Sequence, residues 1–330
     1  MSTKISVAMC TYNGALYLRE QLDSIAAQTY LPDELVVCDD QSTDETCEIV
    51  EAFSKTAPFS VHLHLNEKNL GSTKNFERAI GFTRGDVIAL ADQDDVWLPQ
   101  KLAKLVSCLH DAPNVGLVFT DAEVVDEHLK PLGYRLWESV GLDEAQRRLM
   151  RTGRALDVLL PGWSVTGATL AFRAEFKDLV LDIPTNLDLI HDGWIALLIA
   201  SVAKVAFIEE PLIKYRQHAR QQIGAKRGAA GQTEPAGLKG LKSAISRTNS
   251  YDQMIAIGTQ ARNRLTERGD VYQSAESVAK LDDRLMHLRT RAALPAKKLG
   301  RLGSVMSELM SRRYHLYANG FRSALKDLLA

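Results

Sequence analysis

The sequence predicts an α/β fold, a mostly parallel Rossmann-like sheet covered by helices, with a helical C-terminal extension. Three observations carry this reading. Short apolar runs of strand length alternate with stretches of helical spacing as far as about residue 218; the strands run into acidic or small polar residues where they end; and past residue 240 only helical spacing continues. At 330 residues the chain has room for two domains, or for one large α/β domain with an appendage. The expected division is an α/β domain over residues 1–220, a linker or mobile loop over 221–240 and a basic helical region over 241–330.

Taken in order, Ile5 to Met9 is a first strand, Cys10-Thr11-Tyr12-Asn13-Gly14 a link, and Ala15 to Gln28 a helix with Leu16, Leu22, Ile25 and Ala26 on its inner side. Glu34 to Cys38 is the second strand and ends at Asp39-Asp40. Ser42 or Thr43 is expected to cap a helix reaching about Lys55. Val61 to Leu65 alternates as a third strand, Asn69-Leu70-Gly71-Ser72 turns, and a helix from about Thr73 to Phe82 leads into Gly85-Asp86 and the apolar run Val87 to Ala91. Pro99 to Leu109 is a helix and Val115 to Phe119 a strand. Gly133 to Arg154 is polar, helical in places, and has no clear place in the sheet. Ala168 to Phe172 is a strand, His191-Asp192-Gly193-Trp194 opens an apolar helix to about Ala203, and Val205 to Arg216 holds two short strands around Pro211.

Composition narrows the class. Apolar residues make 45% and charged residues 25% of the chain, the balance of an ordinary globular protein. No run approaches transmembrane length and Met1 to Gly14 lacks the apolar core of a signal peptide, so the chain is expected in the cytoplasm. Cys10, Cys38, Cys47 and Cys108 have no metal-type spacing and are expected as reduced, buried thiols. The net charge of −1 is unevenly placed: Arg284 to Lys326 is dominated by Arg and Lys, with Glu308 the only acid. Aromatics fall among the cations from Arg312 to Phe321, which reads as a membrane-surface patch, with solvated helix faces or single-stranded nucleic acid as alternatives.

The chemistry concentrates at Asp92-Gln93-Asp94-Asp95, directly after the buried run. Three carboxylates in four residues repel one another, and a cation neutralises them most easily. Hard oxygen ligands without a nearby cysteine favour Mg²⁺ or Mn²⁺, with substrate phosphates completing the shell. A solvated acidic turn has the same composition. Asp39 and Asp40 end the neighbouring strand, where carboxylates can accept from a base or ribose, or cap the next helix. Thr11 and Asn13 lie at the same edge. No Gly-x-Gly-x-x-Gly and no Gly-Lys-Ser/Thr loop is present, which argues against NAD, FAD and phosphate-loop chemistry. Asp192, beside Trp194, reads either as a general base raised by an apolar wall or as a helix N-cap. His218 reads as a metal ligand or as a loop histidine.

Together, Val7 to Gly14, Cys38-Asp39-Asp40-Gln41-Ser42-Thr43-Asp44, Asn69-Leu70-Gly71 and Ala91 to Trp97 resemble the family 2 inverting glycosyltransferases over roughly residues 4–218. The branch with Asp-Gln-Asp-Asp-x-Trp and a later His-Asp-x-Trp resembles bacterial rhamnosyltransferases of polysaccharide assembly, and the ending from Tyr317 is similar to that branch as well. The resemblance implies a GT-A nucleotide-binding domain. It implies that Thr11, Asn13 and Asp40 hold the nucleoside, that Asp92 contacts ribose or sugar, and that Asp94 binds Mn²⁺ or Mg²⁺ on the diphosphate with His218 as a further ligand. Asp192 would be the base and Gly167 would line the donor-sugar pocket, with Trp163, His191 and Trp194 on the acceptor side. Many members carry Glu-Asp where this chain has His191-Asp192, which leaves the role of position 191 open. The implied partners are a dTDP- or UDP-sugar donor, a glycan or lipid-linked acceptor and the inner face of the cytoplasmic membrane. The sugar would be L-rhamnose, or alternatively a hexose or its N-acetyl form from a UDP-sugar. An inactive nucleotide-sugar or glycan-binding scaffold is the reading from another class. The acidic front half argues against nucleic acid as a partner.

Overall fold

The computed structural model describes residues 3–160, 164–219, 221 and 240–329, the last stretch by backbone alone as far as residue 250. Contacts divide the chain into two units, Met1–Thr185 with Ile190–Gln232, and Asn186–Leu189 with Thr233–Ala330.

The first unit is built on one sheet. Strands β1 (Ile5–Thr11), β2 (Glu34–Asp39), β3 (Ser60–Leu65), β4 (Val87–Ala91), β5 (Val96–Trp97), β6 (Val115–Val125), β7 (Pro131–Arg135), β8 (Leu170–Arg173) and β9 (Lys204–Arg216) alternate with α1 (Ala15–Ala26), α2 (Thr46–Ser54), α3 (Ser72–Phe82), α4 (Lys101–Asp111), α5 (Leu136–Val140), α6 (Glu144–Arg151), α7 (Ala155–Leu159), α8 (Lys177–Val180) and α9 (His191–Ala200). The sheet order is β3-β2-β1-β4-β8-β6-β9-β5, with β7 beside β6. β1, β2 and β4 are buried along their whole length, because helices cover both faces of the parallel part. In register, Thr11 lies beside Asp39, and Met9 beside Ala91, so the first loop, the Asp39-Asp40 pair and the acids after Ala91 leave the sheet at one edge. Ligands of open α/β sheets bind beyond the carboxyl ends of such strands.

The expected mostly parallel sheet is present, with β8 set antiparallel to both β4 and β6. The structure departs from the sequence reading at several elements. Leu16, expected on the inner side of α1, is 67% exposed. Residues 133–135, the start of the stretch expected to have no clear place in the sheet, belong to β7: Asp126 accepts from His128 and Lys130 backbone N–H groups, and that turn folds the chain back on β6. The two strands expected around Pro211 are one long strand. A register shift opposite Asp121 absorbs the proline, which has no N–H to give the ladder. Neither Ser42 nor Thr43 caps α2, which starts after Glu45. Their polar groups are engaged elsewhere, Ser42 with Asp39 and the Thr43 N–H with Asn13.

The second unit contains α10 (Gly240–Glu267), α11 (Ala275–Ala292), α12 (Lys298–Met310), α13 (Arg313–Tyr317) and α14 (Phe321–Leu329). Val305, Tyr314 and Ala324 form a small core there. The linker expected over 221–240 lies, apart from Gln221 and the backbone of Gly240, outside the described residues. The four cysteines are free thiols, and among the described residues no helix is long and apolar enough to cross a membrane.

Candidate active site

At the carboxyl edge of β1, β2 and β4 the first unit encloses a cavity of about 970 Å³. Thr11, Asn13, Asp40, Asp92, Asp94, Gly167, His191, Asp192 and His218 all line it. Sequence reasoning named these residues from stretches far apart in the chain, and the fold brings them to one place. Trp194 does not line the cavity. Two residues past Asp192 on a helix, it faces the opposite way, 1% exposed, and its Nε1 donates to the Val180 carbonyl. Trp163 lies outside the described residues.

Loop 11–14 is built by its neighbours. Thr11 Oγ1 donates to Asp39 Oδ2 at 2.8 Å, the Asn13 N–H donates to Ser42 Oγ, and Asn13 Oδ1 accepts from Thr43. Gln93 closes the loop onto the acidic cluster. Its Oε1 accepts from the Tyr12 N–H at 2.8 Å and its Nε2 donates to the Tyr12 carbonyl. A Cβ at position 14 would lie 2.2 Å from Gln93 Oε1, so a larger residue there would displace the Gln93 side chain from the loop. The Asp40 carboxylate anchors the second loop, accepting from Asn66 Nδ2 and from the backbone N–H groups of Leu70 and Gly71. Gly71 takes φ +78°, a left-handed backbone that glycine adopts without strain.

The three acids after β4 do not converge. Asp92 and Asp94 face the cavity, while Asp95 turns inward and its Oδ1 accepts from the Arg216 N–H at 3.0 Å. Arg216, 1% exposed, ties the turn from beneath: its guanidinium donates to the carbonyls of Asp94 and Glu127, pairs with Glu20 and lies 4.4 Å from the Tyr17 ring centre. His218 Nε2 is 2.8 Å from Asp94 Oδ2. Burial pushes the Asp92 carboxyl up to about 7, and repulsion from Asp94 and then Asp192 adds to it, against the opposing charge of Lys101. Lys101 is fully buried under Trp97 and donates to the Ala168 carbonyl; burial holds its ammonium well below the ordinary range.

The opposite wall is the start of α9. Asp192 is no N-cap, since Ile190 occupies that position and Asp192 sits in the first turn. Its Oδ1 accepts from the Gly193 N–H at 2.6 Å and its Oδ2 from the Gly167 N–H at 3.0 Å. Burial raises its carboxyl to about 6 although both backbone donors pull the other way. His191 stacks on Phe76 with ring centres 4.0 Å apart, and burial holds its imidazole neutral, lowered to about 3. Space at Gly167 is tight, since a Cβ would meet His191 Nε2 at 3.0 Å and Asp192 Cβ at 3.4 Å.

Three supporting residues escaped sequence reasoning. Lys101 lies four and eight residues before Leu105 and Leu109, so a lysine on the buried stripe of α4 was there to be noticed. Gln93 and Arg216 carry no such signal, since each acts across more than 80 residues of sequence.

The sequence profile of Glycosyl transferase family 2 matches residues 6–173. An uncharacterized glycosyltransferase of Nostoc is 29% identical over 279 residues, which cover 83% of this chain and 84% of that one. The dTDP-rhamnosyl transferase RfbG of Shigella flexneri is 27% identical over 226 residues, 66% of this chain and 74% of its own length. Among solved structures, a mannosyltransferase from Pyrobaculum calidifontis in complex with GDP-Man and Mn²⁺ superposes with a TM-score of 0.51 at 18% identity, covering 93% of this chain and 75% of that one.

Proposed function

The chain belongs to glycosyl transferase family 2 and its first unit has the GT-A fold, and from this premise we propose a metal-dependent inverting transferase. It moves a sugar, L-rhamnose from its dTDP donor, to a hydroxyl of a growing cell-surface polysaccharide or lipid-linked glycan at the inner face of the membrane. One observation carries the chemical reading. Asp192, a buried carboxylate raised to about 6, shares a single cavity with the Asp92 and Asp94 edge. Rhamnose is favoured by the His191-Asp192-Gly193-Trp194 pattern and by the dTDP-rhamnosyl relative.

The residues fit a divalent cation. Asp92 is raised by burial and then by its neighbours' negative charge, and Asp94 stands against the imidazole of His218, an oxygen and nitrogen donor pair lining the cavity. Among the described residues no group of three or more His, Cys, Asp and Glu could hold an ion by itself, so its remaining ligands would have to come from a diphosphate. Asp94 and His218 would hold it. When bound, such an ion offsets the diphosphate charge and stabilises it as it leaves.

The chain's own groups do the rest. The loop from Thr11 to Asn13 and Asp40 hold the nucleoside at the strand edge, and Asp92 receives ribose or sugar hydroxyls. Gly167 lets the donor sugar approach the wall at Asp192. The Asp192 carboxylate takes the proton of the acceptor hydroxyl as that oxygen bonds to the anomeric carbon and the bond from that carbon to phosphate breaks. The single displacement inverts configuration and needs no covalent nucleophile, unlike hydrolases that retain configuration through one.

Calorimetric titration of dTDP, UDP and GDP with Mn²⁺ tests the reading. Metal-dependent binding of dTDP, lost in Asp94→Ala, is the expected result. Preference for UDP would move the donor to a hexose or its N-acetyl form, and binding of none of the three by the wild type would count against the transferase reading.

A further inference from the structure

We infer that the outward side of α12 and α14 is a docking surface for anionic phospholipid. The inference rests on the reading above only in that a lipid-linked acceptor gives the surface a purpose.

Both helices are apolar on two sides. Inward, they bury Val305 and Ala324 around Tyr314. Outward, α12 exposes Leu299, Leu302, Met306 and Met310, spaced three or four residues apart and so aligned on one face; Leu299 is 92% and Met310 81% exposed. α14 does the same with Phe321, Leu325 and Leu329, Phe321 being 71% exposed. A helix packed only into its own small domain has no use for a second apolar stripe, and exposed patches of this kind mark interaction surfaces.

The charge around the stripes selects the partner. Lys297 and Lys298 open α12, Arg312 follows it, and Arg322 and Lys326 flank the apolar edge of α14; all are exposed. None of these five cations has an acidic partner among the described residues. From Pro295 to Leu329 no acid is exposed: Glu308 is buried against His287 and Arg313, and Asp327 is engaged by Arg291 and Tyr314. The structure thus spends its acids inward and leaves its cations outward. A second copy of the chain meeting this face would bring like charge against like charge with nothing to offset it. An anionic headgroup layer over acyl chains complements both features, with the cations at the phosphates and the leucines and methionines beneath.

Sedimentation of the full chain with vesicles tests this, using phosphatidylcholine containing phosphatidylglycerol and, separately, phosphatidylcholine alone. The wild type is expected to pellet with the mixed vesicles, and its affinity for them to fall about tenfold in Leu299→Ser combined with Met310→Ser. Replacing Lys297, Lys298, Arg322 and Lys326 together by Glu is expected to abolish binding. These side chains are exposed, so nucleotide titration should be unchanged and serves as the check on folding. Equal affinity of wild type and variants for the mixed vesicles overturns the inference, as does equal binding of the wild type to phosphatidylcholine alone. A dimer in ultracentrifugation that the serine variant dissolves, with no vesicle binding, would assign the face to a second copy instead. Failure of the vesicle test with intact nucleotide binding removes this inference and leaves the active-site reading standing; the reverse pattern removes only the latter.

Discussion

The two walls of the cavity hold carboxylates that burial displaces in the same direction but that stand in different company. At the strand edge, Asp92 is raised by burial and then by the like charges of Asp94 and Asp192. At the helix start, Asp192 is raised chiefly by burial, opposed by the N–H groups of Gly193 and Gly167. Crowded carboxylates gain most from a cation. A carboxylate held near neutrality chiefly by desolvation and clasped by backbone donors is instead suited to take a proton and give it up again. The same residue type therefore serves two tasks, divided by whether its neighbours are charges or amides.

Three substitutions should break or sharpen that contrast. The largest effect is expected from Asp192→Asn, which removes the base and keeps the shape. Turnover should fall by about a thousandfold, with nucleotide affinity in calorimetry close to wild type. Asp94→Ala should do the reverse, weakening Mn²⁺-dependent nucleotide binding by at least about tenfold, or 1.4 kcal/mol, as read in the same titration. The smallest effect belongs to Gln93→Ala. Losing its two hydrogen bonds to Tyr12 should raise the nucleotide Kd about fivefold, or ~1 kcal/mol, with turnover at saturating donor little changed. Equal loss of binding in the Asp192 and Asp94 variants would erase the division of labour.

What the sequence disclosed and what it withheld follow from how each feature is encoded. Strands β1, β2 and β4 were legible because they are buried on both faces and read as unbroken apolar runs ending in polar residues. Their ends gave Thr11, Asp40, Asp92 and Asp94 directly. Strand β9 was misread at Pro211, since a register shift depends on the partner strand and leaves no local mark. Adjacency in sequence puts Trp194 beside Asp192, whereas helical geometry turns it into the core. Arg216 was passed over as the end of a strand, and its work beneath the acidic turn appears only once β9 is laid against β6. The cations of the tail were visible as a count. Which of them face outward depends on packing, which pairs Arg291 and Arg313 with acids and leaves Arg322 and Lys326 exposed.

The measurement that bears most directly on the central claim is the pH dependence of kcat/KM for the wild type and for Asp192→Asn, at saturating Mn²⁺. The groups around Asp192 are the neutral His191, the backbone donors of Gly193 and Gly167, and Asp92 across the cavity. Because burial raises the Asp192 carboxyl to about 6, it is protonated and inactive as a base below that pH and available above it. Wild-type activity should fall about tenfold for each pH unit below an acidic limb near that value, and the residual activity of the variant should show no such limb. A limb that persists unchanged in Asp192→Asn would assign the titrating group to the strand edge and contradict the assignment of Asp192 as the base.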